Sequence, residues 1–113
     1  MIEVLIALAM TKYTFTVIPD PPLVIAGIVT AYTSSEDETD STPHITASNQ
    51  KTRDGIVANN CLSFGTKVKI NGKIYEVQDR KNSRYDCRWI DIWMNSKEEA
   101  IEWGIKRLPV TVL

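Results

Sequence analysis

The sequence predicts a small all-β protein: a barrel of six strands with one short helix. Three observations lead there. Short apolar runs with alternating polarity recur from Leu23 to the end of the chain. Two of these runs are joined by Asn71-Gly72, the pair that best supplies positive φ at both central positions of a tight hairpin turn. A single helix signal stands near the end, where Ser96-Lys97-Glu98-Glu99 matches a capping box and Gly104 is placed to stop what it starts. Several short strands at regular spacing favour a closed barrel over an open sheet.

The elements follow in order. Met1 to Met10 is apolar except for Glu3. No positive residue precedes this run and no small-residue cleavage site follows it, so it reads as a segment packed on the domain. A degenerate signal-peptide core is the alternative. Ten residues are too few to cross a bilayer, and no membrane span is expected. Pro19-Asp20-Pro21-Pro22 separates this piece, residues 1–22, from the main domain, residues 23–113. Leu23 to Thr33 is rich in Val, Ile, Thr and Tyr and reads as the first strand. Residues 34–54 form a long polar loop. Gly55 to Ala58 is a second apolar run, and Thr66 to Ile70 a third, with Val68 and Ile70 inward and Lys67 and Lys69 outward. The Asn-Gly turn leads into Lys73–Asp79. Trp89–Met94 is a further strand. Ala100 and Trp103 mark the buried side of the helix, and Leu108, Val110 and Val112 alternate as a closing strand.

Two carboxylates interrupt this pattern. Asp79 ends Tyr75-Glu76-Val77-Gln78-Asp79, and Asp91 sits inside Trp89-Ile90-Asp91-Ile92-Trp93. A charge in an apolar strand is costly to bury, so it is paired, exposed or functional. Side chains alternate faces along a strand, which puts Trp89, Asp91 and Trp93 on one face and Ile90, Ile92 and Met94 on the other. An acid flanked by aromatic rings suits a carbohydrate cleft. The structural alternatives are an ion pair of Asp91 with Arg88, and of Asp79 with Arg80 or Arg84.

With 113 residues the chain makes one domain. A net charge of −1 without a basic cluster gives no electrostatic basis for nucleic-acid binding. His44 is the single histidine, and the acidic run Glu36, Asp37, Glu38, Asp40 lacks the glycine and terminal glutamate of a calcium loop, so no metal or other cofactor is expected. Cys61 and Cys87 are not spaced as zinc ligands. They are either free buried thiols or one disulfide.

One set of motifs adds to this. Thr30-Ala31-Tyr32, Ile45-Thr46-Ala47-Ser48, Gly55-Ile56-Val57-Ala58, Phe64-Gly65-Thr66-Lys67-Val68, Val77-Gln78-Asp79-Arg80, Ile90-Asp91-Ile92-Trp93, Glu99-Ala100 and Trp103-Gly104 occur in an order and spacing that resembles the 3D domain, named for three aspartates. That domain occurs in stationary-phase survival proteins and in the core of membrane-bound lytic transglycosylase A. The resemblance spans about residues 28 to 113 and implies a double-psi β-barrel, related to rare lipoprotein A and the expansins, in an extracytoplasmic or cell-wall setting. It implies cleavage of peptidoglycan glycan strands with Asp91 as the single acid/base and Asp79 as the second family aspartate. It further implies that Thr30, Tyr32 and Thr46 contact sugar or orient the two acids, and that Trp89 and Trp93 stack on pyranose rings. Where the family has its first aspartate, this chain reads Ala58-Asn59-Asn60, and Asn59 or Asn60 is expected to bond a sugar or hold Asp79. The glycine-rich loop of the family is replaced by Arg80-Lys81-Asn82-Ser83-Arg84-Tyr85. Two further functions compatible with this sequence are a wall-binding module without turnover, as in expansin-like barrels, and a structural barrel in a phage or secretion assembly.

Overall fold

A computed structural model describes residues 21–34 and 44–113. The apolar segment Met1–Met10 and the acidic run Glu36–Asp40 fall outside the described residues. Among the described residues, six strands and one helix follow in order: β1 Val24–Tyr32, β2 Ile56–Ala58, β3 Lys67–Ile70, β4 Lys73–Asp79, β5 Trp89–Trp93, α1 Lys97–Trp103 and β6 Lys106–Val112.

The strands close on themselves in the order β1-β5-β2-β4-β3-β6. Closure removes every free sheet edge, which is what a domain with such short strands needs. Two pairs are parallel, β1 with β5 and β2 with β4; the rest are antiparallel. Replacing each strand by the one three further along maps the pairings onto themselves, so that the parallel pair β1–β5 becomes β4–β2. The barrel is therefore built from two interlocked halves of three strands, each contributing to a parallel pair. This is the double-psi arrangement expected.

Local chemistry fixes the corners. Asn71 and Gly72 have φ of 53° and 82°, and β3 and β4 pair as a hairpin from Ile70↔Lys73 onward. The Ser96 side chain accepts a hydrogen bond from the Glu99 N–H, and Gly104, at φ 70°, ends α1. Trp103 anchors that helix on the barrel: its Nε1 donates to the Val29 carbonyl at 3.1 Å.

The interior is filled by Val29, Val57, Val68, Ile70, Tyr75, Val77, Ile90, Ile92 and Val110. These are the inward positions of the alternation read above, and Lys67 and Lys69 point out as expected. Gly27 is required by close approach. A Cβ there would stand 2.7 Å from Val110 Cγ2 and 2.9 Å from the Leu108 carbonyl, on the strand that β1 pairs with.

Candidate functional site

Parallel pairing of β1 with β5 sets Thr30 opposite Asp91 and Tyr32 opposite Trp93. Ala58 on β2 is the Cα partner of Asp91 on one side and Asp79 on the other. The β2–β4 register shifts between Val57 and Ala58, and this irregularity brings Asp79 beside Ala58. The two aspartates thus flank one small residue, two strand spacings or about 10 Å apart at Cα.

Their side chains meet the same strand. Thr30 Oγ1 donates to Asp91 Oδ1 at 2.7 Å, and Tyr32 Oη donates to Asp79 Oδ2 at 2.7 Å. Thr30 and Tyr32 are two residues apart and share a face of β1. Both carboxylates therefore gather on one outer rim of the barrel. Burial, with the Asp79 carboxylate and then Asp91 acting in the same direction, pushes the Tyr32 phenol far above its ordinary range. It stays a neutral donor.

The other oxygens are also taken. Asp79 Oδ1 accepts the N–H groups of Ala47 and Arg80, each at 2.9 Å. Asp91 Oδ2 receives Lys81 Nζ at 2.8 Å, with side chains only 9% and 16% exposed. Neither structural alternative from the sequence holds at a side-chain level. Arg88 pairs with Asp86, and Arg80 donates its guanidinium to the carbonyls of Asn59 and Leu62 while lying 3.9 Å above the Phe64 ring. Lys81 was missed because a basic loop after a strand reads as a solvated surface.

Asn59 and Asn60, expected to bond a sugar or hold Asp79, bond the backbone instead, while Thr46, expected to contact sugar or orient the acids, sits in the turn beside Asp79. Asn59 is fully buried. Its Nδ2 donates to the carbonyls of Cys87 and Trp89, both at 3.0 Å, and its Oδ1 accepts the N–H groups of Cys61 and Leu62, both at 2.9 Å. No capacity remains for a ligand. Asn60 is occupied by the loop beyond β4: Nδ2 donates to the carbonyls of Asn82 and Tyr85, and Oδ1 accepts the Lys81 N–H at 2.8 Å. Thr46 is buried, and its hydroxyl holds a turn by bonding Ser48 Oγ and the Gln50 N–H. That turn presents the next N–H, of Ala47, to Asp79. Thr46 acts through the backbone and touches no open surface.

Trp89 and Trp93 lie half-buried on the Asp91 face. Trp89 packs against Tyr85, with ring centroids 5.0 Å apart, and Trp93 Nε1 donates to Ser34 Oγ at 2.8 Å. A cavity of about 740 Å³ lies beyond Trp93, walled by Tyr75, Trp93, Trp103, Lys73, Lys106 and Glu102; neither Asp79 nor Asp91 lines it. No cluster of potential metal ligands occurs among the described residues, and none of their helices is long and apolar enough to cross a membrane.

Cys61 and Cys87 are joined as a disulfide with Cα atoms 5.4 Å apart, so the free-thiol alternative falls. The bridge ties the turn after Asn59 to the residues just before β5. Alkylation of the native, unreduced protein is expected to label neither cysteine. Replacing both by serine should cost roughly 3–4 kcal/mol in denaturant unfolding, given the 26-residue separation.

The chain matches no protein-family model and no curated protein. Fold and site together define a double-psi barrel with a paired-aspartate rim.

Proposed function

We propose that this barrel acts on peptidoglycan glycan strands at the Asp79–Asp91 rim, as a lytic transglycosylase of the 3D-domain type. What supports it is the pair of hydroxyl bonds from Thr30 and Tyr32, which gathers both carboxylates onto one face beside Trp89 and Trp93. Asp91, an acceptor at both oxygens, takes the proton of the sugar's 6-hydroxyl, whose oxygen closes on C1 as a 1,6-anhydro ring. It passes that proton to the glycosidic oxygen as the bond to C1 breaks, which leaves Asp91 a carboxylate again. No water is consumed, so one acid/base suffices where ordinary glycosidases use two carboxyl groups. Asp79, held by three donors, orients the sugar or the rim and exchanges no proton. The disulfide fits an extracytoplasmic or cell-wall setting.

A second reading is a wall-binding module without turnover. It is favoured by the ammonium on Asp91 and by a buried asparagine where the family carries an aspartate. Digestion of purified sacculi followed by mass spectrometry separates the two. Release of 1,6-anhydro muropeptides is the expected result; tight binding with no product would establish the binding module instead.

A further inference from the structure

Lys81 lies on a loop, where a lysine ordinarily keeps its ammonium in water. Here its side chain is 9% exposed and its Nζ lies 2.8 Å from Asp91 Oδ2 and 4.5 Å above the Tyr85 ring. The loop that carries it is pinned along its length. Asn60 holds the N–H of Lys81 and the carbonyls of Asn82 and Tyr85. The Tyr85 N–H returns to the Asn82 carbonyl at 3.1 Å. The disulfide fixes the far end at Cys87. So many restraints between Lys81 and Cys87 converge on where one ammonium stands.

We propose that Lys81 is the positioning residue of Asp91, resting on the glycan-cleaving role set out above. Thr30 holds one carboxylate oxygen and Lys81 the other, so the plane of the group is fixed. Before the reaction the carboxylate charge faces a cation already in place, which needs no reorganisation as the 6-hydroxyl proton arrives. When that proton passes on to the glycosidic oxygen, the charge returns to the same partner and the ammonium keeps the group aimed for the next cycle. Lys81 is neither protonated nor deprotonated in the cycle. Its partners are the carboxylate and the Tyr85 ring, and it makes no contact of its own with sugar.

The test is steady-state cleavage of soluble glycan strands by the unmodified protein, Lys81→Met and Lys81→Arg. Lys81→Met is expected to lose roughly 100-fold in kcat with KM unchanged, the size of effect that misplacing a catalytic group produces. Lys81→Arg, which keeps the cation, should recover at least about a tenth of the lost turnover. If Lys81→Met does not fold by circular dichroism, Lys81→Gln, which keeps the stem and a donor, carries the same criterion. Unchanged kcat in the neutral variants would overturn the role of Lys81 and leave Asp91 as acid/base. A rise in KM alone would overturn it in favour of direct sugar contact. Absence of cleavage by the unmodified protein would remove the glycan-cleaving function and, with it, the role of Lys81.

Discussion

If the proposed glycan cleavage is correct, Asp91→Asn is expected to give a folded protein that still binds sacculi and does not cut them. The amide keeps the shape of the carboxylate and an oxygen for the Thr30 hydroxyl, but carries no transferable proton. Turnover should fall by roughly 10²–10⁴-fold, the usual worth of a general acid. The change also leaves Lys81 beside an uncharged partner in a mostly buried position. About 2 kcal/mol of stability should go with it, a loss a domain of this size tolerates. Asp79→Asn should behave differently. An amide cannot accept from Tyr32 and from both the Ala47 and Arg80 N–H groups, so its main effect is a loosened rim. Cleavage should drop by no more than about tenfold, because the proposed acid/base, Asp91, is untouched. Sacculus digestion of both variants, with circular dichroism as the fold control, checks the contrast. Full cleavage by Asp91→Asn would remove it as the acid.

The largest loss of stability is expected at Asn59. Asn59→Ala strands two carbonyls and two N–H groups in a site with no exposure. At about 1 kcal/mol or more for each unsatisfied group, roughly 4 kcal/mol should be lost, and the midpoint of thermal unfolding should fall by on the order of 15 °C. Asn59→Asp is the more telling variant. It places an aspartate in the segment whose resemblance to the 3D domain would call for one, yet here the new carboxylate would face the carbonyls of Cys87 and Trp89 with nothing to donate. It should destabilise like alanine and add no cleavage. A gain of activity in Asn59→Asp would mean that the segment opens to substrate.

Most of the barrel was legible because its signals are local. Alternation identifies inward residues in β3, β5 and β6 without knowledge of their partners, and Asn71-Gly72 and the Ser96 capping box act within four residues. Asp79 and Asp91 stood out because they break an apolar pattern. What decides their surroundings is not local. Lys81 reaches Asp91 from a loop that Asn60 and the disulfide tie to the turn after β2, and nothing in Arg80-Lys81-Asn82-Ser83-Arg84 announces that. Asn59 and Asn60 have side chains equally suited to a sugar or to a backbone; burial settles the first, and the returning loop beyond β4 settles the second. A usable signal was present at Asn59. An asparagine whose Oδ1 collects the N–H groups two and three residues ahead is doing turn chemistry, and the adjoining Asn60-Cys61 is turn-like in composition.

The position of β1 in the barrel also governs when this protein can exist as a folded object. Both neighbours of β1, β5 and β6, are made from the last quarter of the sequence. A ribosome adding about 5–20 residues per second needs several seconds after finishing β1 to produce them. Through that interval Val29 has no wall to lie against, and the Thr30 and Tyr32 hydroxyls have no complete set of partners, since Asp91 is not yet made. The pairings among β2, β3 and β4, all made by residue 79, can form before β5 exists. The barrel therefore closes only once its C-terminal strands are made, in one late step dominated by distant pairings. Chains of that kind fold in milliseconds to seconds and depend on reaching that point without being cut or captured.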